Sequence, residues 1–255
     1  MTTFHAVEEL EGRADGVAGV LLVCDHASNT VPPHITPLGL PEEDMARHIA
    51  WDVGARGLTH GLAARLGAPA ILAGWSRLVI DPNRGADDPT LVMRLYDGSI
   101  VPGNSTVDGA EIDRRIETLH RPYHDAIDRK LDQILDSHAQ PMLISIHSFT
   151  PQFRGRPPRP WHIGLLWDQD DRLVAPLFDE LRRDAELCVG DNEPYSGALQ
   201  GDCMWQHGTR REIAHVLIEI RNDLIETAEG QDAWADRLAP MLIRAIAEAR
   251  TASLS

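Results

Sequence analysis

A single three-layer α/β/α domain with a mixed, mostly parallel central sheet is the fold class predicted over residues 1–255. Three observations predict it. Strand-like and helix-like segments alternate from end to end. No Pro/Gly/Ser-rich linker and no internal repeat divides them. Three apolar runs, beginning at Val20, Met142 and His215, lead into Asp25-His26, His147 and Glu219 respectively. Such runs read as buried strands, and ligands in open α/β sheets gather at their carboxyl ends.

The elements follow in order. A first strand near Val17 to Cys24 opens into a loop of turn formers, Asp25-His-Ala-Ser-Asn-Thr-Val-Pro-Pro33. Pro41-Glu-Glu-Asp has the acidic first turn that a helix dipole favours. That helix is expected to run toward Leu66, although Gly54, Gly57 and Gly61 weaken it. Ala70 to Ala73 and Leu78 to Ile80 read as short strands. The stretch from Asp81 to Gly109 is rich in Pro, Gly, Asp and Asn, and loops of this length are often functional. A helix is expected from about Glu111 to Ser137, kinked or broken at Pro122. The His147 strand, a Pro/Arg-rich loop from Arg154 to Pro160 and a strand at Ile163 to Trp167 come next. A helix near Arg172 to Ala185, a further loop region, the Glu219 strand and a helix from about Gln231 to Ala249 complete the chain.

Composition narrows the function. The formal charge is −15, which repels nucleic acid and anionic membranes. Cys24, Cys188 and Cys203 are few, odd in number and not in a CxxC spacing, as expected in a reducing compartment. The N-terminus has neither a basic n-region nor an apolar h-region, and no segment approaches the ~20 apolar residues of a membrane span. A cytoplasmic protein acting on a small molecule is the expectation, with oligomeric state left open.

Two histidines and a glutamate brought to one rim are the parts of a hydrolytic zinc site. His26 and His147 each cap an apolar strand, which sets them apart from the other ten histidines; hydrogen-bonded core histidines are the plainer alternative. A catalytic zinc takes a third protein ligand. Asp52, in an otherwise mostly apolar stretch, is favoured over Asn29, whose amide oxygen is a poor zinc ligand. Glu219 lies among apolar residues, where a carboxylate must be paired, ligating or catalytic. Arg221 faces the same side of that strand, so an ion pair competes with a general-base role. In Ser76-Arg77-Leu-Val-Ile-Asp81-Pro-Asn83-Arg84, the guanidinium groups of Arg77 and Arg84 suit an acidic substrate. Salt bridges to Asp81, Asp87 or Asp88 are the competing reading. His162, Tyr195, His207 and Arg210 lie in loops near predicted strand ends, where each could contact a substrate, a structural role being the plainer alternative for each.

Taken together, Cys24-Asp-His-Ala-Ser-Asn29, Ala50-Trp-Asp52, Ser76-Arg-Leu-Val-Ile-Asp81-Pro-Asn-Arg84, Ser145-Ile-His-Ser-Phe149, Gly190-Asp-Asn-Glu-Pro-Tyr195 and Glu219-Ile-Arg221 resemble the N-formylglutamate amidohydrolase family. The resemblance runs from about residue 18 to 245. It implies a fold similar to zinc carboxypeptidases and aspartoacylases, with His26 and His147 as zinc ligands and Glu219 as general base. Asn29 stands where related zinc hydrolases carry the glutamate of an HxxE motif, so the third ligand does not transfer.

The resulting expectation is an enzyme with one Zn2+ per chain, held by His26, Asp52 and His147. It would hydrolyse the amide of a small acidic N-acyl amino acid, most simply N-formyl-L-glutamate. Glu219 and Arg84 are the expected catalytic residues. Arg77, Asn83, Arg84, Ser148, Tyr195, His207 and Arg221 are the expected substrate contacts. A carboxypeptidase-like peptide hydrolase and a non-catalytic metal or small-acid binding protein are the alternatives.

Overall fold

The computed structural model describes residues 4–138 and 140–252. The first half comprises β1 (Val7–Leu10), β2 (Val20–Cys24), α1 (Glu42–Met45), α2 (Ala55–Leu66), β3 (Ala70–Ala73), the small hairpin β4 (Leu95–Tyr96) and β5 (Ser99–Ile100), and α3 (Gly109–Arg115). The second half comprises α4 (Arg121–Ser137), β6 (Met142–Phe149), β7 (Ile163–Leu166), α5 (Val174–Arg182), β8 (Val189–Asp191), α6 (Cys203–His207), β9 (Ala214–Arg221) and α7 (Ala228–Ala252).

Seven strands form one sheet in the order β1-β3-β2-β6-β9-β7-β8. The central pairs β3/β2, β2/β6 and β6/β9 are parallel, as is β7/β8, whereas β1/β3 and β7/β9 are antiparallel. The three apolar runs are β2, β6 and β9. Their near-continuous apolar sequence is what a strand covered on both faces requires. Val20, Leu22, Ile144, Ile146, Val216 and Ile218 pack toward α2, α5 and α7. Leu21, Val23, Leu143 and Leu217 pack on the other face, with Ile127 and Leu131 of α4. Because side chains alternate, Asp25, Ser145, His147 and Glu219 continue this second set. His147 and Glu219 are direct neighbours across the β6/β9 ladder.

The expected helix ending at Leu66 is corrected to two: α1 stops at Met45, and α2 begins only at Ala55. Gly54 causes part of the break. It sits at φ 81°, and a Cβ there would lie 2.0 Å from the Ile225 carbonyl oxygen. The interruption carries Asp52 on a turn rather than on a helix surface. Gly54→Ala should therefore destabilise the fold by about 1–3 kcal/mol, measurable by urea denaturation.

Leu78 to Ile80 is buried but is not a strand. The Val79 N–H donates to the Ser76 carbonyl at 2.9 Å, closing a turn, and the Trp75 indole donates to the Ile80 carbonyl at 2.8 Å. Apolar character here reflects core packing, and periodicity over three residues does not separate the two cases. The expected break at Pro122 becomes a π-helical turn, residues 116–120, between α3 and α4. Proline lacks the N–H that a continuous ladder needs. Two short edge strands, β1 and β8, lie where no strand was expected.

Candidate active site

Five segments meet above the carboxyl ends of β2, β6 and β9. β2 delivers Asp25 and His26, the turn before α2 delivers Asp52, and the loop after β3 brings Arg77, Asp81, Asn83 and Arg84. β6 brings Ser145, His147 and Ser148, and β9 brings Glu219.

The two histidines have opposite duties on their two ring nitrogens. His26 Nε2 lies 2.7 Å from Asp81 Oδ1, and His147 Nε2 lies 2.8 Å from Asp25 Oδ2. Carboxylates accept, so both Nε2 atoms carry protons. His147 also meets Asp52; burial would lower its pKa, but the hydrogen bonds to Asp25 and Asp52 outweigh burial and push it well up. A bound ion would take the place of its Nδ1 proton. Both Nδ1 atoms face Asp52: His147 Nδ1 is 2.8 Å from Oδ2, and His26 Nδ1 is 3.4 Å from Oδ1. His26 Nδ1 is buried and has no hydrogen-bond partner. Ser148 steadies Asp52, its N–H donating to Oδ2 at 3.1 Å and its hydroxyl to the Val53 carbonyl at 2.8 Å.

Further contacts hold the outer carboxylates. Asp25 accepts from the Tyr123 hydroxyl at 2.9 Å and the Ser145 hydroxyl at 3.0 Å. Asp81 accepts from Arg77 Nη2 at 2.8 Å and from the Asn83 N–H at 2.9 Å. Burial alone would raise the pKa values of Asp25, Asp52 and Asp81. Their cationic neighbours outweigh it and hold all three below the usual carboxylate range: His147 and His26 for Asp25, His26 and His147 for Asp52, Arg77 and His26 for Asp81. Three buried carboxylates, Asp25, Asp52 and Asp81, therefore crowd around the two imidazoles and Arg77, with Arg84 Nε 4.0 Å from Asp81. A divalent cation in place of the His147 Nδ1 proton would help to balance them.

The residues present fit such an ion. His26, Asp52 and His147 offer ligand atoms within 4.8 Å of one another, all buried. Both histidines have a carboxylate on the far nitrogen, the arrangement that orients metal-ligating imidazoles. Asn29 has no part in this; its amide donates to the Met45 carbonyl at 2.9 Å and it lines a different hollow.

Glu219 stands beside this cluster. Burial raises its pKa to about 7; His147 opposes the rise and Asp52 adds to it. Its Oε2 atom is buried with no hydrogen-bond partner. The competing ion pair with Arg221 is absent among the described contacts. Arg221 instead binds Asp223 at 2.8 Å and reaches the Trp161 carbonyl.

A cavity of about 170 Å³ opens on these groups, walled also by Tyr96, Leu166, Tyr195, Leu199 and Asp202. Arg84 lines it with an Nε that has no hydrogen-bond partner, 4.0 Å from Asp81. Arg77 also lines it, though its two terminal nitrogens face Asp81 and Asp52 at 2.8 and 3.5 Å. Asn83, Ser148 and Tyr195 are in the wall. His207 and Arg221 are not, and the expectation of substrate contact is corrected for both. His207 turns away toward His124 and Asp128, at 2.7 and 2.9 Å, while the Asp223 pair holds the Arg221 head outward.

Sequence reasoning missed Asp25, Tyr123 and Asp202. Asp25 had a usable signal, a carboxylate directly after a buried strand and beside His26. Tyr123 comes from a helix far along the chain, and nothing local announces its contact with Asp25. Asp202 caps α6 by accepting from the Trp205 N–H at 2.7 Å, and burial raises its pKa to about 7.

Known proteins share this chain's fold and sequence family. An Agrobacterium tumefaciens gene product of known crystal structure shares 33% identity with a TM-score of 0.88, over 95% of each chain. The crystal structure of an N-formylglutamate amidohydrolase from Ralstonia eutropha has a TM-score of 0.75 at 22% identity, covering 96% of this chain and 98% of that one. An N-formylglutamate deformylase from Pseudomonas putida is 32% identical over 99 residues. That match spans 35% of this chain and only 37% of the deformylase. The sequence profile of N-formylglutamate amidohydrolase matches residues 18–226, and the chain belongs to that family.

Proposed function

We propose that the protein is a metal-dependent amidohydrolase that cleaves the amide of a small N-acyl amino acid, with N-formyl-L-glutamate the first candidate. The observation that carries this reading is the Glu219 carboxyl group: buried, unpartnered at Oε2 and directly across the ladder from His147. A divalent ion, zinc by its preference for such ligands, would be held by His26, Asp52 and His147, and would supply water activation and polarisation of the scissile carbonyl.

The chain's own residues account for the rest. Glu219 Oε2 takes a proton from the attacking water and returns it to the leaving amine, a role suited to a carboxyl that titrates near neutrality. Arg84 offers its guanidinium to the substrate carboxylate or to the developing oxyanion. Tyr195 and the aliphatic wall of Leu166 and Leu199 shield the reacting bond. The size of the cavity supports a small substrate over a peptide: about 150 Å³ accommodates a benzene-sized group.

Outer contacts matter to this reading. Tyr123→Phe removes a donor to Asp25, and metal affinity should fall about 10-fold or more, read by competition with a chromogenic chelator. The function itself is tested with zinc-loaded protein and a panel of N-formyl and N-acetyl amino acids, alongside dipeptides. Amine release from N-formyl acidic amino acids is expected. Turnover confined to dipeptides, or none on any substrate, would overturn the proposal.

A further inference from the structure

A second group of side chains with metal-ligand chemistry lies among residues the proposed reaction does not use. Cys203 and His207 are the first and last residues of α6, one helical turn apart on one face. His124, from α4, meets them. The donor atoms of His124, Cys203 and His207 lie within 4.8 Å of one another, and all three residues are buried.

The proton inventory of the two histidines makes the cluster more than a hydrogen-bonded pair. His124 Nε2 faces the Pro82 carbonyl oxygen at 3.1 Å, and His207 Nδ1 faces Asp128 Oδ1 at 2.9 Å. Both acceptors require N–H on those atoms. Arg211 donates to the same Asp128 oxygen at 2.7 Å and keeps it an acceptor. The neutral rings therefore direct two lone pairs at each other, from His124 Nδ1 and His207 Nε2, only 2.7 Å apart. A cation must lie between them: either one extra proton or a metal ion.

Cys203 decides between these. A shared proton has no use for a third donor, whereas a metal ion does. The outer partners also match, since ligating imidazoles characteristically donate their far N–H to a carbonyl or carboxylate. The 2.7 Å separation resembles the 2.8 Å between His147 and Asp52 in the first site, and both need open by only a few tenths of an ångström to admit an ion.

We infer that His124, Cys203 and His207 form a second metal site, one that takes a borderline-soft divalent cation such as zinc through two imidazole nitrogens and a thiolate. Burial, and then Asp25, the carboxylate that orients His147, push the pKa of the Cys203 thiol well up, so the thiol is protonated while the site is empty. Loading the second site removes that proton and couples the two sites electrostatically through Asp25.

Cobalt loading of the full-length protein tests this, because the first site contains no sulfur. Metal-free protein is titrated with Co2+ alone, bound metal is counted by mass spectrometry, and absorbance is followed in the near ultraviolet. Wild type should bind about two ions per chain and develop a thiolate-to-cobalt charge-transfer band. Cys203→Ser, which is near-isosteric but offers no thiolate, should lose one ion and the band. His207→Gln should do the same and serves if the serine variant fails to fold. A folded wild type without the band overturns the inference, as does a band that survives in Cys203→Ser, which would assign it to the exposed Cys188.

Discussion

Replacing Glu219 with glutamine should lower kcat on N-formyl-L-glutamate by roughly 10²–10⁴-fold, the range general-base catalysis contributes, while leaving metal content unchanged. The substitution is nearly isosteric and keeps the strand's packing, but an amide accepts no proton at the working position. Because Glu219 is buried and Oε2 has no partner in the structure, little else depends on its charge, and folding stability should hold or rise. The pH profile supplies an independent reading. Burial raises this carboxyl to about 7, and the base must be ionised to act. Activity should therefore fall as pH drops through the neutral region, where an ordinary glutamate would stay active to about 4.3. Glu219→Gln should flatten that limb in its residual activity. A variant that keeps full turnover, or a wild-type profile flat down to pH 5, would remove Glu219 from the mechanism.

Asp52→Asn should abolish measurable turnover by a different route. Asp52 faces His147 Nδ1 at 2.8 Å and His26 Nδ1 at 3.4 Å, so its loss removes both a charge and the proposed carboxylate ligand from the centre of the cluster. Metal affinity should fall by more than about 100-fold, beyond the range typical of outer contacts. The variant also leaves one fewer carboxylate around Arg77. Its thermal stability should rise less on adding zinc than wild type's does, because ligand-linked stabilisation follows affinity. Equal zinc affinity in the two proteins would exclude Asp52 as a ligand.

Much of this site was readable before any coordinates, for a physical reason. A strand buried on both faces must be apolar, so a charged or imidazole side chain at its end stands out. His26, His147 and Glu219 were found that way. Asp52 was singled out as a carboxylate in an apolar stretch, but its delivery on a turn depends on Gly54 closing against Ile225, a contact between residues far apart in sequence. Arg77 shows the limit of charge reasoning. Its type suggested a substrate clamp, yet Asp81 and Asp52 face its terminal nitrogens at 2.8 and 3.5 Å, whereas Arg84 lies 4.0 Å from Asp81. The edge strands β1 and β8 were too short, and too incompletely buried, to leave a periodic signal. His207 and Arg221 show that proximity to a strand end does not set the direction of a side chain.

The account's central claim is that a divalent metal at His26, Asp52 and His147 enables amide hydrolysis assisted by Glu219. It is tested most directly by stripping the protein with a chelator and restoring zinc stepwise while following formate release from N-formyl-L-glutamate. Activity should vanish in the metal-free protein and return with zinc in wild type, but not in Asp52→Asn at matched zinc. Undiminished turnover by metal-free protein would contradict the account, as would zinc-loaded wild type that releases no formate.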